Sequence, residues 1–403
     1  MEKQIREACE RGEGIFRLAP VFVPRLFSRA GHRLKLHPDD YYALGTARGA
    51  IKERWLSSVI PANNGPLAAP DEGLSYVAPS GDPKDRFLLR DAIAEMGAEA
   101  VGETLWEKYG TWPMYSKFFD FGVPLFHHVH LTFEKAARVG RLGKPECYYF
   151  PPQLNNHMGT MPVTYFGFSP DVTPEEVKSR LRAYALTDNR ITELSRAYRI
   201  QLGTGWYTPA GVIHAPGSVL TYEPQWNSDV NSVFENVASD EVYDPFFLNE
   251  NCPPDKKDDI DYIFSLLDWE KNVDPDYRAH YFRPPAPAPA PEGCSEKWVV
   301  YANEYVGAKE LTVDPGRTVT IKDGAAYGAI LTQGRGTFGV HDCETPTLIR
   351  FGQLTCDEFF VTEKAAREGV VIRNLSKVEP LVILKHFGPN HPDMPVESMR
   401  QSR

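Results

Sequence analysis

Residues 175–185 (EEVKSRLRAYA) place apolar side chains at the 3.6-residue period of an amphipathic helix. Thr173 and Glu176 form a capping-box pattern ahead of it, and Pro174 suits the first helical position. A second helix is expected over residues 86–102. Short aromatic and β-branched runs bounded by Gly, Pro and Asn, at residues 148–150, 163–168 and 219–222, read as strands. The same signal returns at residues 298–301, 329–332, 370–372 and 381–384, interrupted by one helix-like patch at residues 362–367. This is the pattern of an antiparallel sandwich or barrel. Residues 283–293 (RPPAPAPAPEG) break it, because alternating Pro and Ala should form neither ladder nor helix and should run as a stiff extended spacer. The expected organisation is therefore an all-β chain with a few helices. A first domain over residues 1–282 carries helical insertions, a Pro/Ala linker spans 283–293, and a second β domain covers 294–392.

Composition narrows the function. The chain has 403 residues, and its 31 Gly and 34 Pro agree with a loop-rich β protein. Lysine and arginine (44) against aspartate and glutamate (54) leave a net charge of −10. With no long basic block, a nucleic-acid partner is not expected. No apolar run reaches the roughly 18 residues of a membrane span, and residues 1–16 are charged, so a cytoplasmic protein without a membrane partner is expected. The six cysteines include no CxxC pair and read as reduced thiols.

Histidines supply the candidate chemistry. In the run FGVPLFHHVHL, His128 and His130 are two apart and share one face of a strand, while His127 turns away. Glu146 opens an aromatic strand, where an inward carboxylate is costly unless paired or bound to a cation. Residues 203–214 spell Gly-x5-Pro-x-Gly-x2-His, in which Pro209 and Gly211 build a tight turn that delivers His214 onto the next strand. His128, His130, Glu146 and His214 together suit one divalent metal, Zn before Mn, Fe, Co or Ni, with positions open for substrate. Glu134 is the rival carboxylate. His341, His386 and His391 form no ligand-like cluster, so no metal is expected in the second domain.

In order along nearly the whole chain, residues 52–57 (KERWLS), 64–67 (NGPL), 117–121, 128–130, 143–149 (GKPECYY), 165–177 (YFGFSPDVTPEEV), 209–214, then Glu223, Gln225, Ser228 and Asp229, and finally 267–276 (LDWEKNVDPD), resemble the class I mannose-6-phosphate isomerases of the cupin superfamily. The resemblance implies two cupin-like jelly-roll domains, the first holding the metal. It also implies aldose-to-ketose isomerisation of a sugar or sugar phosphate through a cis-enediol. Glu223 matches the family's glutamate and is the candidate base; Lys144, two residues before Glu146 on the same face, is the candidate oxyanion stabiliser. The sequence departs from the family at His128, usually glutamine, at Leu131, usually proline, and at Val233, where the family has an arginine. The last change predicts a preference for an uncharged or differently charged polyol over mannose 6-phosphate. Residues 150–162 are an insertion that brings His157 to a loop expected to overhang the site, and residues 36–40 (LHPDD) imitate the metal motif out of order. The other readings are a different metal-dependent cupin enzyme (dioxygenase, lyase or epimerase) and a non-catalytic sugar-binding cupin, with a homodimer as the candidate assembly.

Overall fold

The computed structural model describes residues 1–157, 162–389 and 391–397. Its strands form several open antiparallel sheets. The expected strands at residues 148–150, 163–168 and 219–222 are Glu146–Tyr149, Val163–Phe168 and Leu220–Trp226. They belong to two sheets that frame the histidines. One has the strand order Phe282–Arg283, Gly205–Thr208, Glu146–Tyr149, Leu220–Trp226, Met114–Asp120, Ala50–Leu56, Val21–Arg25. The other runs Ser195–Arg199, Val163–Phe168, Ile213–Ala215, His128–Val129, Ser232–Val233. Their side chains meet across a gap filled by aromatic rings, with Tyr148 on Phe166 at 5.8 Å and Phe166 on Trp206 at 5.0 Å between centroids.

The helix Pro174–Arg182 carries the capping box predicted for Thr173 and Glu176. The helix expected over residues 86–102 is broken. Leu89–Met96 ends at Gly97, which adopts φ 57°, and Ala98–Val101 starts a new turn behind it. Glycine takes that left-handed conformation without the steric cost a side chain would meet.

Residues 283–293 depart from the expected spacer. Ala286–Ala288 is a strand, paired antiparallel with Cys294–Val300 so that Pro287 faces Lys297. It lies at the edge of a nine-stranded sheet. At an edge only one side of the strand must pair, so the missing proline N–H can face away from the ladder. The same sheet takes in strands from both ends of the chain: Ile15–Ala19 pairs with Glu358–Val361, Ile15 opposite Val361. Arg54 of the Ala50–Leu56 strand ties the two halves further, bridging to Asp357 at 2.8 Å and Glu358 at 3.1 Å, all three buried.

The interior of the later half holds a second buried charge cluster. Asp323 accepts from Lys309 at 2.8 Å and Lys385 at 2.6 Å, and Glu296 pairs with the same two lysines at 3.3 and 2.5 Å. Burial raises the Asp323 carboxyl, but the two ammonium groups outweigh it and hold the value down to about 2. Its stabilising contribution is therefore complete above its ordinary value near 3.8 and is lost as pH falls toward about 2. Asp323→Ala leaves two buried lysines against one carboxylate, and urea unfolding at neutral pH is expected to record a loss of about 3–5 kcal/mol. A loss below about 1 kcal/mol would mean that water reaches the cluster.

Candidate active site

The turn encoded by Pro209 and Gly211 sets the site. The Pro209 carbonyl accepts from the Val212 N–H at 3.2 Å, and Gly211 adopts φ 86°. A Cβ at Gly211 would approach the backbone nitrogen of Asp268 to 3.0 Å. A type II turn requires positive φ at this place, which explains the glycine. The turn feeds the Ile213–Ala215 strand, where His214 lies directly opposite His128. His130 follows on the same face as His128, as strand alternation requires, and His127 points the other way to pair with Glu235 at 2.7 Å. One ring nitrogen from each of His128, His130 and His214 lies within 4.8 Å of the others, and the ring centroids are 4.2–4.9 Å apart. All three rings are buried.

Backbone carbonyls fix how these rings are turned. Nδ1 of His128 donates to Phe126 at 3.0 Å, Nδ1 of His130 to Val230 at 2.8 Å, and Nδ1 of His214 to Val212 at 2.8 Å. A carbonyl can only accept, so in each neutral ring the hydrogen sits on Nδ1 and the Nε2 lone pair turns inward. Burial, together with the neighbouring imidazoles, drives His128 well below its ordinary value. Burial also takes His130 to about 3, against the pull of Glu146. Both rings are neutral at pH 7.

Glu146, on the facing sheet and also buried, brings Oε2 to 2.9 Å from Nε2 of His130 and Oε1 to 3.2 Å from Nε2 of His214. Carboxylate oxygens and neutral Nε2 atoms are all acceptors. Lys144 Nζ stands 2.7 Å from Glu146 Oε2 and 2.9 Å from Nε2 of His130, while Nε2 of His214 meets no donor. The Lys144 ammonium meets part of this need, and the donor set of imidazole nitrogens and a carboxylate is the one that borderline metals such as zinc take.

From Glu146 a chain of alternating charges runs along the sheet. Lys144 bridges Glu146 at 2.7 Å and Glu223 at 3.5 Å. Lys117, directly opposite Glu223 in the strand pairing, bridges it at 3.1 Å and Glu53 at 3.8 Å. Arg25 links Glu53 at 2.9 Å to Asp229 at 3.1 Å. Burial and then the Glu146 charge push the Glu223 carboxyl up to about 8, while Lys117 and Lys144 pull it down. Burial also raises Glu53, but Arg25 and Lys117 outweigh it and bring the group to about 2. Apart from Glu146, these side chains line one cavity of about 890 Å³, whose wall also includes His128 and His130.

The four expected metal ligands and both expected catalytic residues are thus brought together. Glu134 is not at the site; it is exposed on the helix Phe133–Ala137 and pairs with Arg138 at 2.8 Å. His37, in the out-of-order motif, caps a short helical turn, and Asp40 pairs with Arg350. Val233 lies opposite His128 and lines the cavity. His157 is exposed, bonds Asn156 and is not part of the cavity wall, while residues 158–161 of the insertion lie outside the described residues. Sequence reasoning missed the Arg25–Glu53–Lys117 part of the network. A signal was present: Lys52, Glu53 and Arg54 interrupt a strand that is buried at every position, and three consecutive buried charges demand partners.

No protein-family model and no curated protein matches the chain. Solved structures do. The mannose 6-phosphate isomerase of Bacillus subtilis is similar at 17% identity and TM-score 0.59, over 93% of this chain and 99% of the other. A histidine-to-alanine variant of the Salmonella typhimurium phosphomannose isomerase is similar at 12% identity and TM-score 0.60, over 93% and 100%. A zinc-bound mannose 6-phosphate isomerase is similar at 11% identity and TM-score 0.60, over 93% and 100%. At these identities the likeness establishes the fold, which is that of the mannose-6-phosphate isomerase cupins.

Proposed function

We propose that the protein is a metal-dependent aldose–ketose isomerase. The carrying observation is that three inward Nε2 atoms, the buried Glu146 carboxylate and the Lys144–Glu223 pair line or adjoin one cavity. His128, His130, Glu146 and His214 would hold one divalent ion, zinc before the others, which when bound would polarise the carbonyl and hydroxyl oxygens of the sugar. Glu223 takes the proton from C2 of the aldose and returns it to C1 while the O2 hydroxyl proton passes to O1, giving the ketose through a cis-enediol. Burial suits it to this role, because a carboxylate near neutral basicity is a better proton acceptor than one in water. Lys144 lies between Glu146 and Glu223 and places its ammonium where negative charge gathers as the proton leaves. The fold of the solved isomerases supports the reading, and both of this chain's acid–base groups stand beside the histidines.

The test is proton exchange in heavy water, with the zinc-loaded protein, against free and phosphorylated aldoses and ketoses. Deuterium at C1 or C2 is the expected signature, and oxygen uptake without label would point to a different enzyme on the same fold. Glu223 must be unprotonated to act. The exchange rate should therefore rise with pH along a one-proton limb, with its midpoint between the ordinary 4.5 and about 8. A limb that falls across that range would remove Glu223 as the base.

A further inference from the structure

The charges that line the cavity define the substrate further, on the isomerase reading just given. We infer that the substrate is an uncharged reducing sugar longer than one ring, whose end ring reaches the histidines and whose next ring rests on an aromatic rim.

The inner wall has cations, but each is already balanced. Among the described residues that line the cavity, the cations are Arg25, Lys117 and Lys144. Each lies within 4 Å of two carboxylates in the alternating chain that ends at Asp229 and Glu146. Each of the three cations is thus paired within that chain, and Glu241 and Glu250 add two further acidic groups to the wall. A phosphate dianion entering here would meet acidic groups and paired cations before it met a free cation. Arg25 could release its guanidinium only by leaving Glu53 and Asp229 unpaired, and breaking a buried pair is strongly unfavourable. Val233 adds none of the positive charge that a phosphate would need.

The outer wall is apolar and unlike a phosphate site. Leu26, Val242, Phe246 and Phe247 line the cavity and remain 72%, 79%, 53% and 40% exposed. Lys257 stands over the Phe246 ring at 5.8 Å but does not line the cavity. The apolar C–H face of a pyranose ring can cover such rings while its hydroxyls stay in water, whereas a phosphate would cover them at a desolvation cost. The cavity, about 890 Å³, also lies in the upper part of the range for small-molecule sites.

The experiment uses full-length zinc-loaded protein and measures C1/C2 proton exchange on mannose, mannose 6-phosphate, cellobiose and mannobiose. We expect kcat/KM for a neutral disaccharide to exceed that for mannose 6-phosphate by about 10-fold or more. In a double variant, Phe246→Ala with Phe247→Ala, the ratio of disaccharide to mannose efficiency should drop about 10-fold, read in KM. A preference for mannose 6-phosphate would overturn the inference and leave the isomerase intact. An unchanged ratio in the double variant would overturn the aromatic rim. Exchange on none of the sugars would overturn the isomerase reading and this inference with it.

Discussion

Replacing His214 by alanine is expected to empty the proposed metal centre. Nε2 of His214 is one of three imidazole donors held inward by backbone carbonyls, and no other histidine among the described residues shares their cluster. Outer-shell partners of metal ligands alone are worth about 10- to 100-fold in affinity, so removing a ligand should cost at least about 100-fold. Zinc retained by the desalted protein, measured by mass spectrometry of the metal, should fall to background. Glu134→Ala is the matching control, since its side chain is exposed and paired with Arg138. Normal zinc in the His214 variant, with loss in the Glu134 variant, would mean that the ligand set has been assigned to the wrong carboxylate.

Glu223→Gln should leave zinc in place and remove the reaction. Glutamine keeps the size of the side chain but cannot take up a proton from carbon. General-base groups typically contribute about 100- to 10,000-fold, and a fall in kcat of that size is expected in the exchange assay. The pairing with Lys117 and Lys144 becomes a neutral-to-cation contact, so unfolding should be followed in parallel. Near-parental exchange by a folded, zinc-replete variant would require another base.

The short-range parts of this protein were legible in its sequence. Strand alternation put His128 and His130 on one face and His127 on the other. The Pro-x-Gly spacing called for the turn that carries His214. Thr173 and Glu176 marked a helix start that the structure keeps. Each of these rests on residues within about ten positions of one another. What was not legible depends on pairing across long separations. Lys117 meets Glu223 because two strands align in register, and Arg25 meets Asp229 across 204 positions of sequence. The Pro/Ala segment was misread for a different reason: it pairs locally with Cys294–Val300, and its prolines are tolerated because the strand lies at a sheet edge. Residues 86–102 failed differently. A helix does form there, but Gly97 turns the backbone to φ 57° and ends it at Met96.

The pairing of Ile15–Ala19 with Glu358–Val361 bears on how the protein is made. The Ile15–Ala19 strand waits for a partner that is made about 340 residues later. At about 5–20 residues per second, that is a delay on the order of 20 to 70 s. During this time the first strand's edge is open, and its neighbours Tyr76–Val77 and Phe87–Leu88 can cover only one side of it. Contacts of such length slow folding, because loop-closure entropy is lost before they form. A chain cut short in translation therefore leaves the nine-stranded sheet unfinished, and the nascent protein offers chaperones a long-lived, unpaired strand edge.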